Sequence, residues 1–499
     1  FQLTTFSRTI FTRKSEALRT FTLSNDAERM STLYTFDLTN AFVREIVDGL
    51  DTNNHDDEAK IVEDCWEAII REIYGDKSPK NTQSGKMWYM NKFLGHYACS
   101  LTYAEAECHE YPKDKHCHSS TKAFSAISRV LRGKAEWFTT ATGWRPDISD
   151  EFIRMRKFAV QYLAVTNPRH YYAEKARLNG FASHGANAQV LNSQEIDDET
   201  LVLLYIVRIK ANQGGFDELL LSICNRFIED EHLTERIKEA AKAICRILYS
   251  FWVMQEDLRH DLVEDQRTMD ARDIENAHKK CYTSDGEYDG WLAKSPEIAD
   301  DGVKEYVDEF REVLPEDVKN REIWPSAKMK NQSAKDAVGS THANQTNVRF
   351  VCLLYELTAT EEANISHLID PSHDVDAEHF FPKKYIENGD GWGNSWNTHK
   401  KCNSSEKRKQ FCESAGNIFA LEKEINRNRL VKIGTEESKL KPTADHEDGE
   451  KSYFNSIFKS ITVIRNELRP PRNDPVEWNP TKVAARTRLI HKEIRDYLE

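Results

Sequence analysis

Apolar residues recur at helical spacing through the middle of the chain. Phe216, Leu219, Leu220, Ile223 and Phe227 mark one stripe, and Ile237, Ala241, Ile244, Leu248 and Phe251 mark a second. Spacings of three and four gather side chains on one face of an α-helix, so both stripes predict helices turned towards a core. The pattern stays helical over residues 126–325, which reads as a bundle joining the two ends. The first 125 residues are mixed. FQLTTFSRTIFTRKSEALRTFTLS holds short β-prone runs, and NDAERMSTLYTFDLTNAFVREIVDGL predicts an amphipathic helix capped by Asn25 or Asp26. The stretch 326–347 is polar and rich in small residues, which predicts a linker or a substrate-facing loop. Residues 433–452 predict an exposed insertion on the same grounds. The expected fold class is α+β: a mainly helical multidomain protein with a mixed region over 1–125, a helical middle over 126–325 and a smaller mixed domain over 345–499.

Composition narrows this picture. A domain takes about 100–200 residues, so 499 residues suggest three or so. An apolar share of 39% with 23 Phe, 18 Tyr and 10 Trp is enough for large buried cores and argues against wholesale disorder. No apolar run approaches the ~18 residues that a membrane span needs, and no secretory signal is visible in a chain that opens at Phe1. Ten Cys in a long, charged chain fit free thiols in a reducing cytoplasm better than a disulfide framework.

Net charge is −13, which argues against a protein that coats nucleic acid. The balance is uneven, however: residues 379–432 hold 11 Lys and Arg against 6 Asp and Glu. Lys383, Lys384, Lys400, Lys401, Lys407, Arg408 and Lys409 form clusters, and Arg427, Arg429 and Lys432 follow. A local basic patch on an acidic protein can hold phosphates without sticking everywhere. A solvated charged face is the bland alternative for any single cluster.

The same region carries the candidate chemistry. DAEHFFP (376–382) ends a β-prone run, and GNIFALEKEIN (416–426) follows. Phosphodiester hydrolysis needs a base, charge neutralisation and a stabilised leaving oxygen. An imidazole titrates near neutrality, so His379 can take a proton from water. A hard divalent cation prefers oxygen ligands and keeps several waters, so Glu378 and the amide of Asn426 would suffice to hold Mg²⁺ or Mn²⁺. Asn428 is a rival for that second place, and Asp376 is either a further ligand or an orienter of His379. Asn417 would pin the loop that carries the histidine. Neighbouring side chains on a strand point to opposite faces, so Glu378 and His379 can serve one cleft only where the strand ends; Pro382 favours such an ending.

These elements, with WNPTKVAAR at 478–486, resemble the HNH (ββα-metal, His-Me finger) nuclease domain that closes GmrSD-type, modification-dependent restriction endonucleases. That family shows E-H-[I/F]-x-P, then Gly-Asn followed by apolar positions and a second Asn, and later W-x-P-x-x-[I/V]-x-x-R. Trp478, Pro480, Val483 and Arg486 fall in register with the last element. The resemblance covers residues 345–499. It implies a C-terminal ββα nuclease fold and a divalent-metal-dependent cleavage of DNA, with a role in defence against foreign or modified DNA. A nicking or RNA-directed nuclease would use the same site, and a catalytically idle nucleic-acid binder is the rival from another class. The family's N-terminal nucleotide-binding motif survives only as NDAERMSTL (25–33), which keeps Arg29, Thr32 and Leu33 without the glycine and glutamines. No P-loop occurs, so nucleotide hydrolysis is not expected. DNA is the expected partner, no membrane is expected, and a homo-oligomer stays open. Two Cys/His groups remain, CHEYPKDKHCH (108–118) and HKKC (399–402) with Cys412; neither has the spacing of a common zinc finger, and both read as packing or loop residues.

Overall fold

The computed structural model describes residues 35–52, 55–100, 123–124, 127–128, 131, 148–182, 190–192, 195–211, 217–249, 340–359, 365–372, 374–381, 399–400, 402–412, 414–423, 425, 456–458, 460–461 and 478–498. They form two compact units. One takes the described residues up to Glu195 together with 217–233; the other takes the remainder. The units interleave along the chain.

The first unit is almost wholly helical. Its elements in chain order are α1 (Thr35–Thr52), α2 (Asp56–Ile69, continued by a π-helical turn over Ile70–Tyr74), α3 (Gln83–Ser100), α4 (Ile148–Thr166) and α5 (Pro168–Asn179). A short antiparallel pair follows, β1 (Gly180–Ala182) with β2 (Val190–Asn192), inside a stretch whose pattern predicts helix alone. Helices α1 and α4 pack against α2, and aromatic rings fill the space between α3 and α4, where Phe93 meets Phe158 and Tyr162. At one end of this core the buried Glu72 pairs with Arg71 and Arg177, and the buried Arg156 donates to the carbonyl of Leu178. Burial pushes the Arg156 guanidinium down to about 10. The β-prone run at 1–24 and the candidate caps Asn25 and Asp26 lie outside the described residues.

After α6 (Asp198–Ala211), which belongs to the second unit, α7 (Asp217–Arg226) returns to the first. Both predicted stripes are core where they are described: Leu220, Ile223 and Phe227 are buried, as are Ile237, Ala241, Ile244 and Leu248. The second stripe lies on α8 (Leu233–Ile247) and the residues just after it.

The second unit adds α9 (Ser340–Ala359), α10 (Ser366–Ile369), β3 (Val375–His379), α11 (Ser405–Cys412), β4 (Ile418–Glu422) and α12 (Pro480–Leu498). Residues 340–347, which read as loop, are the first two turns of α9. The buried apolar run Phe350, Val351, Leu353 and Leu354 drives that helix, and polar residues upstream prolong it once it is nucleated. The stretches 326–339 and 433–452 lie outside the described residues. With two small antiparallel sheets among many helices, the described fold is α+β. Among the described residues no helix is long and apolar enough to cross a membrane.

Candidate active site

Strands β3 and β4 pair antiparallel, with Glu378 opposite Phe419 and His379 opposite Ile418. Beyond His379 the ladder stops and the chain bends at Phe380 and Phe381. Alternation sends Glu378 and His379 to opposite faces, and His379 is the last residue of the strand. Glu378 is 5% exposed, while Asp376 and His379 are half-buried.

Asn417 organises the chain just after the histidine. It precedes β4 in a 3₁₀ turn (Ala415–Asn417) and is fully buried. Its carbonyl accepts the Phe380 N–H at 2.9 Å, and its Oδ1 accepts the Phe381 N–H at 2.8 Å. The amide nitrogen donates to the carbonyls of Phe381 (3.1 Å) and Cys412 (2.8 Å). One side chain thus holds both the donor and the acceptor of Phe381, two residues past His379. A buried amide with its donors and acceptors met is costly to disturb, because each group left bare loses about 1–3 kcal/mol.

Helix α12 holds the turn in place from outside. Asn479 caps it, its Oδ1 accepting the N–H groups of Thr481 (3.0 Å) and Lys482 (3.1 Å), and Pro480 stands at the first helical position, where no N–H is needed. The start of the helix is therefore fixed just where Trp478 enters the core. The fully buried Trp478 donates through its indole N–H to Asn417 Oδ1 at 3.0 Å and packs edge-on to Phe380. Two turns along the helix, Arg486 donates to the carbonyls of Gly416 (2.9 Å) and Ile418 (3.1 Å), and its guanidinium lies 3.5 Å from the centre of the Phe419 ring. Thr487 accepts the Gly416 N–H at 3.0 Å. The approach is so close that a Cβ on Gly416 would fall 2.0 Å from the Val483 carbonyl oxygen. The far end of α12 is tied as well: Tyr497 donates to Glu199 on α6 at 2.5 Å, and His491 bonds to Tyr249. Tyr497 itself is shifted upward, first by burial and then by its bond to Glu199.

Three motif segments that lie far apart in sequence therefore converge. The strand with His379, the turn with Gly416–Asn417 and the segment with Trp478, Val483 and Arg486 share one hydrogen-bonded junction. Residues 328–493 match the family model described as GmrSD restriction endonucleases, C-terminal domain. This part of the chain is a GmrSD C-terminal domain. The kinship suggests nuclease activity with DNA as substrate. No curated protein and no solved structure matches the chain.

Within this GmrSD C-terminal domain, Asp376, Glu378, His379 and Asn417 are described. Asn426, Asn428, Lys383, Lys384, Arg427, Arg429 and Lys432 lie outside the described residues, although β4 runs straight into helical backbone at residues 423 and 425. Among the described residues no three His, Cys, Asp or Glu side chains come together as a metal-binding group. His399 meets Thr481 at 3.0 Å, and Cys402 and Cys412 are buried free thiols. Burial pushes the Cys402 thiol up to about 12. The segment 108–118 is outside the described residues. Of the basic clusters, Lys400, Lys407 and Lys409 are exposed, but Arg408 is buried and donates to the Cys402 carbonyl at 3.2 Å, which removes it from any phosphate surface. Thr487 and Asn479 are not among the residues singled out by sequence. Their signal is positional: Thr487 follows four residues after Val483 on the same helical face, and Asn479 precedes a proline at a helix start.

Proposed function

We propose that this chain is a divalent-metal-dependent HNH endonuclease that cleaves DNA phosphodiester bonds in defence against foreign or modified DNA. The observation that supports it most is the junction at Asn417. An amide that holds the backbone directly behind His379, on a strand paired to the one that follows Gly416–Asn417, is what a positioned general base requires.

In this reading His379 accepts the proton of an attacking water. Asn417 fixes the backbone behind His379 so that the imidazole meets the phosphate in one orientation, and Trp478 and Arg486 hold Asn417 and its turn. The nearly buried carboxylate of Glu378 is a hard oxygen donor that suits Mg²⁺ or Mn²⁺. Asn426 would complete the protein's share of the shell, with Asp376 as a further ligand. When bound, such a cation neutralises charge building on the phosphate and on the departing 3′-oxygen. Lys383, Lys384, Arg427, Arg429 and Lys432 would hold the flanking phosphates. The cytoplasm is the compartment in which such an enzyme meets invading DNA.

The reading is tested by incubating the purified chain with unmodified DNA, base-modified phage DNA and RNA of similar length. Cleavage of DNA, strongest on the modified substrate, is expected; cleavage of RNA alone would replace the substrate assignment, and no cleavage of any would leave an idle binder. Asn426→Ala is expected to weaken apparent Mg²⁺ affinity, with partial rescue by excess Mn²⁺, and Asn428→Ala to do less. Greater sensitivity at Asn428, read from metal titrations of cleavage rate, would move the ligand by two residues. Added nucleoside triphosphates are expected to leave the rate unchanged, since Asp26 and Glu28 flank Arg29 where a phosphate cradle would need backbone N–H groups and amides. Phosphate release that disappears on Arg29→Ala would contradict this.

A further inference from the structure

Residues 77–104 contain Lys77, Lys80, Lys86 and Lys92 and no acid, in a chain with 82 Asp and Glu against 69 Lys and Arg. This stretch belongs to the first unit, outside the family match. It carries Trp88, which at 52% is the most exposed of the large hydrophobic side chains among the described residues. Two of the lysines are gathered on it. Lys92 Nζ lies 4.4 Å from the centre of the indole, and Lys80 Nζ lies 5.8 Å from it and 5.7 Å from the ring of Tyr89.

Each part of this group is held by the fold. Lys92 stands four residues after Trp88 on α3, so the two share a helical face. Lys80 precedes the helix, and its N–H donates to Ser78 Oγ at 3.3 Å. Thr82 fixes the helix start by accepting the Gly85 N–H through Oγ1 (3.2 Å) and the Lys86 N–H through its carbonyl (2.9 Å). The buried side of α3 is anchored by Tyr89, Met90 and Phe93, with Tyr89 bonded to Thr166 at 2.6 Å. Nothing in this packing requires a half-bare indole, since ring and ammonium attraction accounts for where the lysines sit and not for why a tryptophan faces water. A single-stranded nucleic acid answers both features: its phosphates meet the ammonium groups while a base lies on the indole.

We propose that Trp88, Lys80 and Lys92 form a stacking platform for an unpaired nucleotide of single-stranded nucleic acid. The inference stands apart from the cleavage reading and would survive its failure. The test is binding of a fluorescent oligo-dT to the full chain in EDTA, followed by anisotropy across a salt series. Trp88→Ala is expected to weaken binding about 5- to 150-fold, the effect of losing one stacked base. Trp88→Leu, which keeps apolar bulk without a π-face, should be as weak, and Trp88→Phe should retain most of the affinity. Lys80→Ala and Lys92→Ala should each lower the logarithmic salt slope by about 0.7. Equal binding by wild type, Trp88→Leu and Trp88→Ala overturns the proposal. So does a lysine effect with no Trp88 effect, which would mark a plain polyanion contact. His379→Ala should bind the probe like wild type, which separates this platform from the nuclease site.

Discussion

Gly416→Ala is expected to destabilise the second unit strongly. The added Cβ would sit 2.0 Å from the Val483 carbonyl oxygen, with Thr487 Oγ1 at 2.5 Å and Thr487 N at 2.9 Å. Two of these three atoms are backbone of α12, so no side-chain rotation relieves the overlap. The helix must move away from the turn, and that motion stretches the bonds from Arg486 to the Gly416 and Ile418 carbonyls and from Trp478 to Asn417. An ordinary overpacked core site costs about 1–3 kcal/mol, and this one combines overpacking with a broken polar junction. Thermal melting of the variant should show a lower or split transition. Asn417→Ala attacks the same junction from within and should melt lower too, because it bares the Phe381 N–H, the Trp478 indole N–H and two carbonyls. A Gly416→Ala protein that melts like wild type would mean that the helix and the turn are not in contact as described.

His379→Ala is expected to have the opposite profile, with a large loss of activity and little loss of stability. The side chain is half-buried at the end of β3, and its strand is held by the ladder to β4 and by bonds that Asn417 makes further along. Removing the imidazole takes away proton transfer and leaves those bonds in place. General-base contributions run about 10²–10⁴-fold, so the cleavage rate should fall at least into that range while melting and DNA binding stay close to wild type. A variant that cleaves at the wild-type rate would remove His379 from the mechanism. A variant that loses rate only in proportion to lost folded protein would make it a structural histidine.

Sequence reading and structure agree most where a period or a motif carries its own physics. The stripes at 216–227 and 237–251 predict buried helix faces, and Leu220, Ile223, Ile237 and Ile244 are buried. The pairing of the strand at 375–379 with the strand after Gly416–Asn417 joins the two motif segments that the sequence singles out as candidate chemistry. Less legible is anything set by long-range packing. WNPTKVAAR marks a family resemblance in sequence, but that Trp478 meets Asn417 across 61 positions, and that Arg486 caps the carbonyls of the turn, depends on how α12 docks. Arg408 reads as part of a basic patch because its neighbours are lysines, yet its guanidinium turns inward to the Cys402 carbonyl. Residues 340–347 read as linker because they are mostly polar, yet they continue the helix whose core is the buried run Phe350, Val351, Leu353 and Leu354.

The most direct test of the nuclease reading is cleavage of supercoiled plasmid by wild type and His379→Ala side by side, with Mg²⁺ or Mn²⁺, with EDTA, and with metal restored after EDTA. Nicked or linear product is expected for wild type with metal, none with EDTA, recovery on restoring the ion, and a rate at least about 10²-fold lower for the variant with metal. Cleavage that persists in EDTA, or that His379→Ala retains in full, would contradict it.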